Sequence, residues 1–349
     1  MIKPKNSTLR VLLVDDSALI RDILRDILES EPDIRVVGEA ADGREAIAKV
    51  AELRPDLVTM DIEMPVMGGL EAIEKIIAAH PVPILVVTAL TGVRTAFTAV
   101  SKGALDVIEK PDITLINMQD LIRKIRRLAS VDVAAHLKAM NRHTKTDVGA
   151  TPASAPKGRA QARIIAITAS TGGPHAIHNI LSQLPASMPV PIVVTQHIAD
   201  GFTQGMVDWL NAVTPLRVCV AAQGDRLSPG NVYVNPAEHS MRVTEQGIII
   251  LGDRDQRQAY HPSCDTMLSS VASVYREKAI GLIMSGMGDD GVIGMQAIRI
   301  AQGTTLAQDA KSSVVFGMNS VAITRGYIDK VVPLASIPAE FMHLVGSRP

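Results

Sequence analysis

Cysteine is nearly absent from this 349-residue sequence: there are two, Cys219 and Cys264, and neither sits in a Cys-x-x-Cys pair. A disulfide framework is excluded, and a reducing compartment is expected. Aromatic residues are also scarce, at 3%, which argues against a surface that stacks single-stranded nucleic acid. Neither sign of charge dominates. Lys plus Arg number 35 against 36 Asp plus Glu, a formal charge of -1, so nucleic acid or anionic lipid meets no bulk attraction and would need a local patch. No apolar core follows the lysines of MIKPKNSTLR, as a secretory leader would require. The longest charge-free run, Ile164 to Ala199, holds Pro174, Pro185, Pro189 and Pro191 together with three histidines and many hydroxyl and amide side chains. It does not read as a membrane-spanning helix. The expectation is a cytoplasmic protein with no membrane insertion and no nucleic-acid partner.

Hydrophobic residues at 47% and charged residues at 20% supply enough apolar side chain for real cores, and the length suits two domains at roughly 150 residues each. Short β-rich runs alternate with helical patterns at the start: Arg10 to Val14, Ile34 to Val37, Leu57 to Met60, Ile84 to Thr88 and Leu105 to Ile108 read as strands. Between the first two, Leu19, Ile20, Ile23, Leu24, Ile27 and Leu28 recur at helical spacing and predict one stripe against a sheet. Five such β/α units over residues 9–130 predict a parallel, doubly wound sheet. Beyond Ser130 the pattern decays, most clearly from Asn141 to Arg163, where Ala, Pro, Thr, Gly and basic residues show no apolar period. A flexible linker is expected over 131–162. Strand-like runs return at Ile164 to Thr168, Ile192 to Thr195, Ile280 to Met284 and Val331 to Pro333, with a β-rich insert around Asn231 to Leu251. Residues 163–349 are thus expected to form a second doubly wound α/β domain with a mainly parallel sheet.

In a parallel sheet all strand C-terminal ends meet at one edge, so residues far apart in sequence can converge there. The first strand ends in Asp15 and Asp16, the third in Asp61, the fourth in Thr88 and the fifth in Lys110 followed by Pro111. Any one acid could be a helix cap, but the set has a common use. Crowded carboxylates call for a cation, and hard oxygen donors suit Mg²⁺. The metal, Lys110 and the Thr88 hydroxyl would hold a phosphoryl group, with Asp61 the best placed acceptor. VDDSALIR (Val14 to Arg21), MDIEMPVMGG (Met60 to Gly69), TAL (Thr88 to Leu90) and EKP (Glu109 to Pro111) resemble the receiver domain of two-component response regulators. The resemblance implies a flavodoxin-like (βα)5 fold, phosphorylation of Asp61 by a sensor histidine kinase, and Mg²⁺ held by Asp16 and Asp61 with help from Asp15 and the Glu63 backbone carbonyl. It departs at Val107, where many receivers carry an aromatic residue.

A receiver regulates an effector, and the segment after the linker is too large for the usual DNA-binding helix-turn-helix. IIAITASTGGP, Ile164 to Pro174, reads as a buried strand, then Ser170 on a Gly-rich turn, then a helix near Pro174. PIVVTQH ends the next strand in His197, and AIGLIMSGMGDDG puts Asp289 and Asp290 after a third. Serine, histidine and an acid from three strand ends would supply a nucleophile, a base and an orienting carboxylate, with turn amides as oxyanion donors. The α/β-hydrolase elbow does not apply, because Thr168 stands where its first Gly belongs. Ala169 to Gly173, Gln196 to Thr203, Gly286 to Gly291 and Ala307 to Met318 do resemble the catalytic domain of CheB-type chemotaxis proteins, the receptor protein-glutamate methylesterases. That resemblance implies Ser170 as nucleophile, His197 as base and Asp290, rather than Asp289, as its partner. It places the oxyanion hole at the Thr171 and Met287 amides and makes Thr168 a departure from the family's usual Gly. It further implies chemoreceptor cytoplasmic helices as substrate, glutamine deamidation as a second activity, no cofactor for the esterase reaction, and restraint of the Ser170 cleft by the unphosphorylated receiver.

Other readings compete. Gly286-x-Gly288-x-x-Gly291 spells a dinucleotide-binding pattern, with Asp309 some eighteen residues on, but Asp289 and Asp290 would oppose a pyrophosphate. A catalytically inactive receiver-linked scaffold is the alternative from another class. His175 and His178 share a helix face without a third ligand and are expected at the surface or in an interface. Cys219 is expected to be a packed strand residue and Cys264 to lack a base partner, while Met287 and Met295 are candidates for lining a substrate groove.

Overall fold

The computed structural model describes residues 8–89, 92–110, 118–134, 163–254 and 260–346. They fall into two compact units, 8–134 and 163–346. Most of the linker expected at 131–162, and the motif residues Leu90 and Pro111, lie outside the described residues.

The first unit runs β1 (Leu9–Val14), α1 (Ala18–Glu29), β2 (Ile34–Ala40), α2 (Gly43–Leu53), β3 (Leu57–Met60), α3 (Gly69–Ala79), β4 (Ile84–Thr88), α4 (Val93–Ser101), β5 (Asp106–Glu109) and α5 (Met118–Leu128). Its five strands pair in parallel in the order β2-β1-β3-β4-β5. Continuous apolar strands such as LVTM and ILVVT are buried along their whole length, as a sheet covered on both faces requires. Ser17 caps α1 by accepting from the Ile20 N–H, and Asp42 caps α2 by accepting from Arg44 and Glu45. The expected α1 stripe is buried only in its second half, at Leu24, Ile27 and Leu28. Leu19 is 65% exposed, because it lies in the first turn, beside the strand-end loop rather than over the sheet.

The second unit runs β6 (Ile164–Ala169), α6 (Gly173–Leu181), β7 (Ile192–Gln196), α7 (Phe202–Val213), β8 (Arg217–Val220), β9 (Asn231–Val234), β10 (Ser240–Val243), β11 (Ile249–Gly252), α8 (Cys264–Tyr275), β12 (Ala279–Ile283), α9 (Val292–Ile300), β13 (Thr304–Gln308), α10 (Met318–Thr324), β14 (Lys330–Val332) and α11 (Ile337–Leu344). Seven parallel strands lie in the order β14-β13-β12-β6-β7-β9-β8. The expected β-rich insert needs correction: NVYV joins the main sheet between β7 and β8, and only β10 and β11 form a separate antiparallel ladder. The burial of β9 on both faces is what draws it into the main sheet. Met267, Leu268 and Val271 of α8 and Met295 and Ile298 of α9 pack with Ile164, Ala166, Val193 and Ile283 in one buried cluster. Met295 is therefore a core residue and lines no groove.

Strand order reverses at one point in each sheet. In the first unit the reversal lies between β1 and β3, and in the second between β6 and β12. Such a point leaves a crevice beyond the strand ends because the two flanking connections depart to opposite sides. Gly69 shows how tightly the first crevice is built: an added Cβ would stand 1.9 Å from the Asp61 carbonyl oxygen. Gly69→Ala is expected to lower stability by ~1–3 kcal/mol through overpacking, read as a lower urea midpoint for the first unit.

Candidate active site

At the first crevice, Asp15 and Asp16 follow β1, Asp61 follows β3, Thr88 ends β4 and Lys110 follows β5. Lys110 Nζ lies 2.8 Å from both Asp15 Oδ2 and Asp61 Oδ2. The other oxygen of Asp61 accepts from the Ile62 N–H at 2.7 Å, and that of Asp15 from the Ser17 N–H at 2.9 Å. Arg21 fixes the acid loop from behind, donating to the Asp15 carbonyl at 2.7 Å while its Nε pairs with Glu39 at 2.9 Å. Asp15 and Asp61 are buried and Asp16 is exposed. Burial raises the Asp15 pKa, the charge of Asp61 adds to the rise, and the Lys110 ammonium and Ser17 N–H oppose it. Burial works against the Lys110 charge too, but its bonds to Asp15 and Asp61 prevail and raise its pKa.

Carboxylate oxygens of Asp15, Asp16 and Asp61 lie within 4.8 Å of one another. That all-oxygen donor set fits a hard divalent cation such as Mg²⁺. Thr88 is buried at the end of the strand next to β3, and Gly92 keeps the space beside its hydroxyl open, since a Cβ there would come within 2.6 Å of it. The Glu63 carboxylate lies on the same side, 3.6 Å from that position.

The second crevice gathers Ser170 from the end of β6, His197 from the end of β7 and Asp290 from the loop after β12. Ala169 and Gln196 are partners in the ladder, so Ser170 and His197 extend adjacent strands. His197 Nε2 is 2.7 Å from Asp290 Oδ2. Asp290 Oδ2 also accepts from the Cys264 N–H at 2.7 Å, and Oδ1 from the Asp265 N–H at 2.9 Å. The carboxylate thus sits on the N-terminus of α8, where exposed amides favour an anion. Burial pushes the Asp290 pKa up, but His197 and these amides outweigh it and hold the carboxyl below its ordinary range.

Ser170 is positioned by backbone. Its N–H donates to the Ser285 carbonyl at 2.9 Å, and the Gly173 N–H returns to its carbonyl at 2.8 Å. Gly172, at φ 77, makes the turn between them. The Ser170 hydroxyl is not hydrogen-bonded to the His197 ring among the described residues. The two extend adjacent strands, about 5 Å apart at the backbone, and catalytic hydrogen bonds commonly tighten only when substrate binds. The Thr171 and Met287 N–H groups donate to no backbone carbonyl among the described residues. Ser285 secures the Thr171 side: its buried hydroxyl donates to the Thr171 carbonyl at 2.7 Å and accepts from the Val315 N–H at 3.0 Å.

Asp289 takes no part in the Asp290 contacts, and Thr168 lies inside β6 with its hydroxyl 3.3 Å from the Leu282 carbonyl. The dinucleotide reading fails on charge placement. The amide at the start of α9, where a pyrophosphate would lie, is taken by Asp265, whose carboxylate accepts the Gly294 N–H at 2.7 Å. Burial and the nearby Asp290 charge push the Asp265 pKa up to about 6, against the Gly294 and Gly291 amides. His178 is half-buried beside Trp209, at a centroid distance of 5.2 Å, rather than at the surface.

Sequence reasoning missed three contributors. Cys264, expected to lack a basic neighbour, has its Sγ 3.5 Å from His197 Nε2. Tyr260 stacks flat on the His197 ring, at a centroid distance of 5.3 Å and an interplanar angle of 2°. Its hydroxyl would stand 2.3 Å from a Cβ at position 288, so glycine is needed there. Gln196 Nε2 donates to the carbonyls of Ser170 at 2.8 Å and His197 at 2.9 Å, tying the two strand ends together. Tyr260 carries a usable signal, as one of four tyrosines in an aromatic-poor chain; the other two carry none.

Known proteins resemble this chain along its whole length. Residues 165–341 match the CheB methylesterase family and residues 11–126 the response regulator receiver domain. A Paramagnetospirillum magneticum protein named protein-glutamate methylesterase/protein-glutamine glutaminase 3 is 47% identical, covering 99% of this chain and 98% of that one. A Pyrococcus abyssi protein named protein-glutamate methylesterase/protein-glutamine glutaminase is 39% identical over 97% of this chain and 94% of its own. The crystal structure of the Thermotoga maritima CheB methylesterase catalytic domain superimposes with a TM-score of 0.51 at 35% identity, covering 53% of this chain and all of that one.

Replacing Gln196 with Leu strips both strand-end carbonyls of a buried donor. We expect a loss of ~1–3 kcal/mol in unfolding free energy, measured by urea denaturation. Gln196→Glu should do no better, because an ionised carboxylate cannot donate.

Proposed function

This chain belongs to the CheB methylesterase family, and we propose that its Ser170, His197 and Asp290 hydrolyse glutamate γ-methyl esters on the cytoplasmic helices of chemoreceptors. The chain is a protein-glutamate methylesterase fused to a response-regulator receiver, and phosphorylation activates it in chemotactic adaptation.

In this reading, with His197 Nε2–H donating to Asp290, the lone pair on Nδ1 is left for the nucleophile. Ser170 Oγ attacks the ester carbonyl as Nδ1 takes its proton, and the oxyanion forms against the Thr171 and Met287 amides. The imidazolium returns the proton to the departing methoxide, and methanol leaves. Water then attacks the acyl-serine, with His197 again as base, and the glutamate carboxylate is released. A glutamine amide passes through an oxyanion of the same shape and releases ammonia, so deamidation uses the same residues. Asp290 orients the ring and stabilises the imidazolium without taking a proton itself. The observation that carries this reading is the 2.7 Å His197–Asp290 contact, with Asp290 anchored on α8 and Ser170 at the adjoining strand end.

On the regulatory side, Asp61 accepts the phosphoryl group from a sensor histidine kinase. Asp15, Asp16 and Asp61 hold Mg²⁺, with the Glu63 carbonyl assisting, and the ion offsets phosphoryl charge when bound. Lys110 and the Thr88 hydroxyl contact the phosphoryl oxygens. We take the receiver as 9–130, the linker as 131–162 and the catalytic domain as 163–349. We place the enzyme in the cytoplasm; the described residues contain no helix long and apolar enough to cross a membrane.

Methanol release from methylated receptor membranes, with and without acetyl phosphate and Mg²⁺, tests both halves. Ser170→Ala should lose about 10⁴-fold or more in rate, and Asp290→Asn about 10⁴-fold through the wrong imidazole tautomer. Wild-type turnover by Ser170→Ala would overturn the assignment. Asp61→Asn should keep basal release but lose its rise with acetyl phosphate, and a retained rise would move the phosphorylation site elsewhere.

A further inference from the structure

The Cys264 thiol belongs to no step of the reaction above, yet it lies against the group on which that reaction turns. Cys264 opens α8, so the same helix start that offers its N–H to Asp290 aims its sulfur at His197. His197, Cys264 and Asp290 each present one ligand atom, and the three atoms lie within 4.8 Å of one another. Imidazole nitrogen, thiolate sulfur and carboxylate oxygen together are a donor set for a borderline-soft ion such as Zn²⁺ and a poor one for Mg²⁺.

The spacing supports that match. Zinc bonds of about 2.3 Å to sulfur and 2.0–2.1 Å to nitrogen or oxygen put a sulfur and a nitrogen about 3.5 Å apart in a tetrahedron, and nitrogen and oxygen about 3.3 Å apart. Sγ and Nε2 already stand 3.5 Å apart. Nε2 and Oδ2, at 2.7 Å, are at hydrogen-bond distance and need to open by about 0.6 Å when the proton between them gives way to a metal. Cys264 is fully buried and Asp290 nearly so, whereas the His197 side chain is 12% exposed. An ion therefore enters from the His197 side, and the fourth position is left for water.

We infer that the His197, Cys264 and Asp290 cluster is an inhibitory Zn²⁺ site that switches the esterase off independently of the receiver. The proton balance explains the inhibition. Zinc takes the Nε2 lone pair, so the ring proton moves from Nε2 to Nδ1, while the thiol proton is released to solvent. One proton leaves per ion bound. With Nδ1 protonated, His197 has no lone pair for the Ser170 hydroxyl, and the base is lost without Ser170 being touched. Burial keeps the Cys264 thiol well above the ordinary thiol range, so it stays protonated and inert until a metal displaces the proton.

The activity readout rests on the esterase reading, so a second readout is independent of it. Full-length protein is titrated with Zn²⁺ in the presence of Mg²⁺, following methanol release. EDTA-reversible inhibition is expected, and in Cys264→Ser the Zn²⁺ concentration for half-inhibition, relative to that variant's own zinc-free rate, should rise at least ~10-fold. Separately, Co²⁺ added to the inactive Ser170→Ala protein should give a thiolate-to-metal charge-transfer band with release of one proton per ion. Cys264→Ser and Cys264→Ala should lack the band. Equal zinc sensitivity of Cys264→Ser and wild type, or cobalt binding without a thiolate band, would overturn the site. Asp61→Asn keeping wild-type zinc sensitivity is also expected, and loss of sensitivity there would assign the inhibition to the receiver acids instead. A Ser170→Ala protein that shows the cobalt band while wild type shows no esterase activity would retain the metal site and reject the esterase reading.

Discussion

The Asp290 carboxylate is the point on which the catalytic unit depends. It is a buried acid, and burial alone pushes its pKa up. Four groups keep it ionised: the imidazole of His197, the N–H groups of Cys264 and Asp265, and the more distant hydroxyl of Ser263 at 3.4 Å. Two of these are amides that α8 cannot satisfy within itself, so the acid serves as helix anchor and as histidine partner at once. Asp265 answers in kind at the start of α9 through Gly294. Each of the two helices packed against the core is thus held at its N-terminus by a carboxylate from the other's neighbourhood. A carboxylate that hydrogen-bonds the histidine and also seats a helix is itself held in place, and it orients the ring.

Both units solve the same problem with the same geometry. A parallel sheet aligns strand C-termini, and a reversal of strand order opens a crevice above them. The receiver places acids there and balances them with Lys110; the catalytic unit places a hydroxyl, an imidazole and one acid. The difference lies in what satisfies the charge. The receiver acids crowd one another around Lys110 as an all-oxygen set that fits a hard divalent cation, while Asp290 is satisfied by protein donors. The same completeness gives the Cys264 thiol its significance, because it is a soft donor next to a histidine whose other partner is already an anion.

Legibility in the sequence follows the physics of each feature. Ser170, His197, Asp15, Asp61, Thr88 and Lys110 are readable because each ends or directly follows a run of buried β-type residues, and that position is a local property; Asp290 is readable from the Gly-rich loop after β12. The strand NVYV is assigned to the wrong sheet from sequence because four buried apolar residues do not say which sheet they join. Leu19 reads as core because periodicity marks a helix face but not how far along the helix the core extends. Tyr260, Cys264 and the two-carbonyl bond of Gln196 escape because each acts across segments with no fixed separation, and no spacing rule links residue 260 or 264 to 197.

The order of apolar runs and the chemistry of the residues that end them settle, without any coordinates, that this chain carries two parallel α/β units, an acid-and-lysine cluster and a serine, histidine and acid set. Those are consequences of alternation and of strand direction, which the chain encodes over ten residues at a time. Tertiary structure alone decided that the starts of α8 and α9 are each seated by a carboxylate and that a thiol stands 3.5 Å from the proposed base. These depend on how α8 is docked against β6, β7 and β12, and docking is fixed by the packing of Met267, Leu268 and Met295 in the core, not by anything local to the residues it brings together.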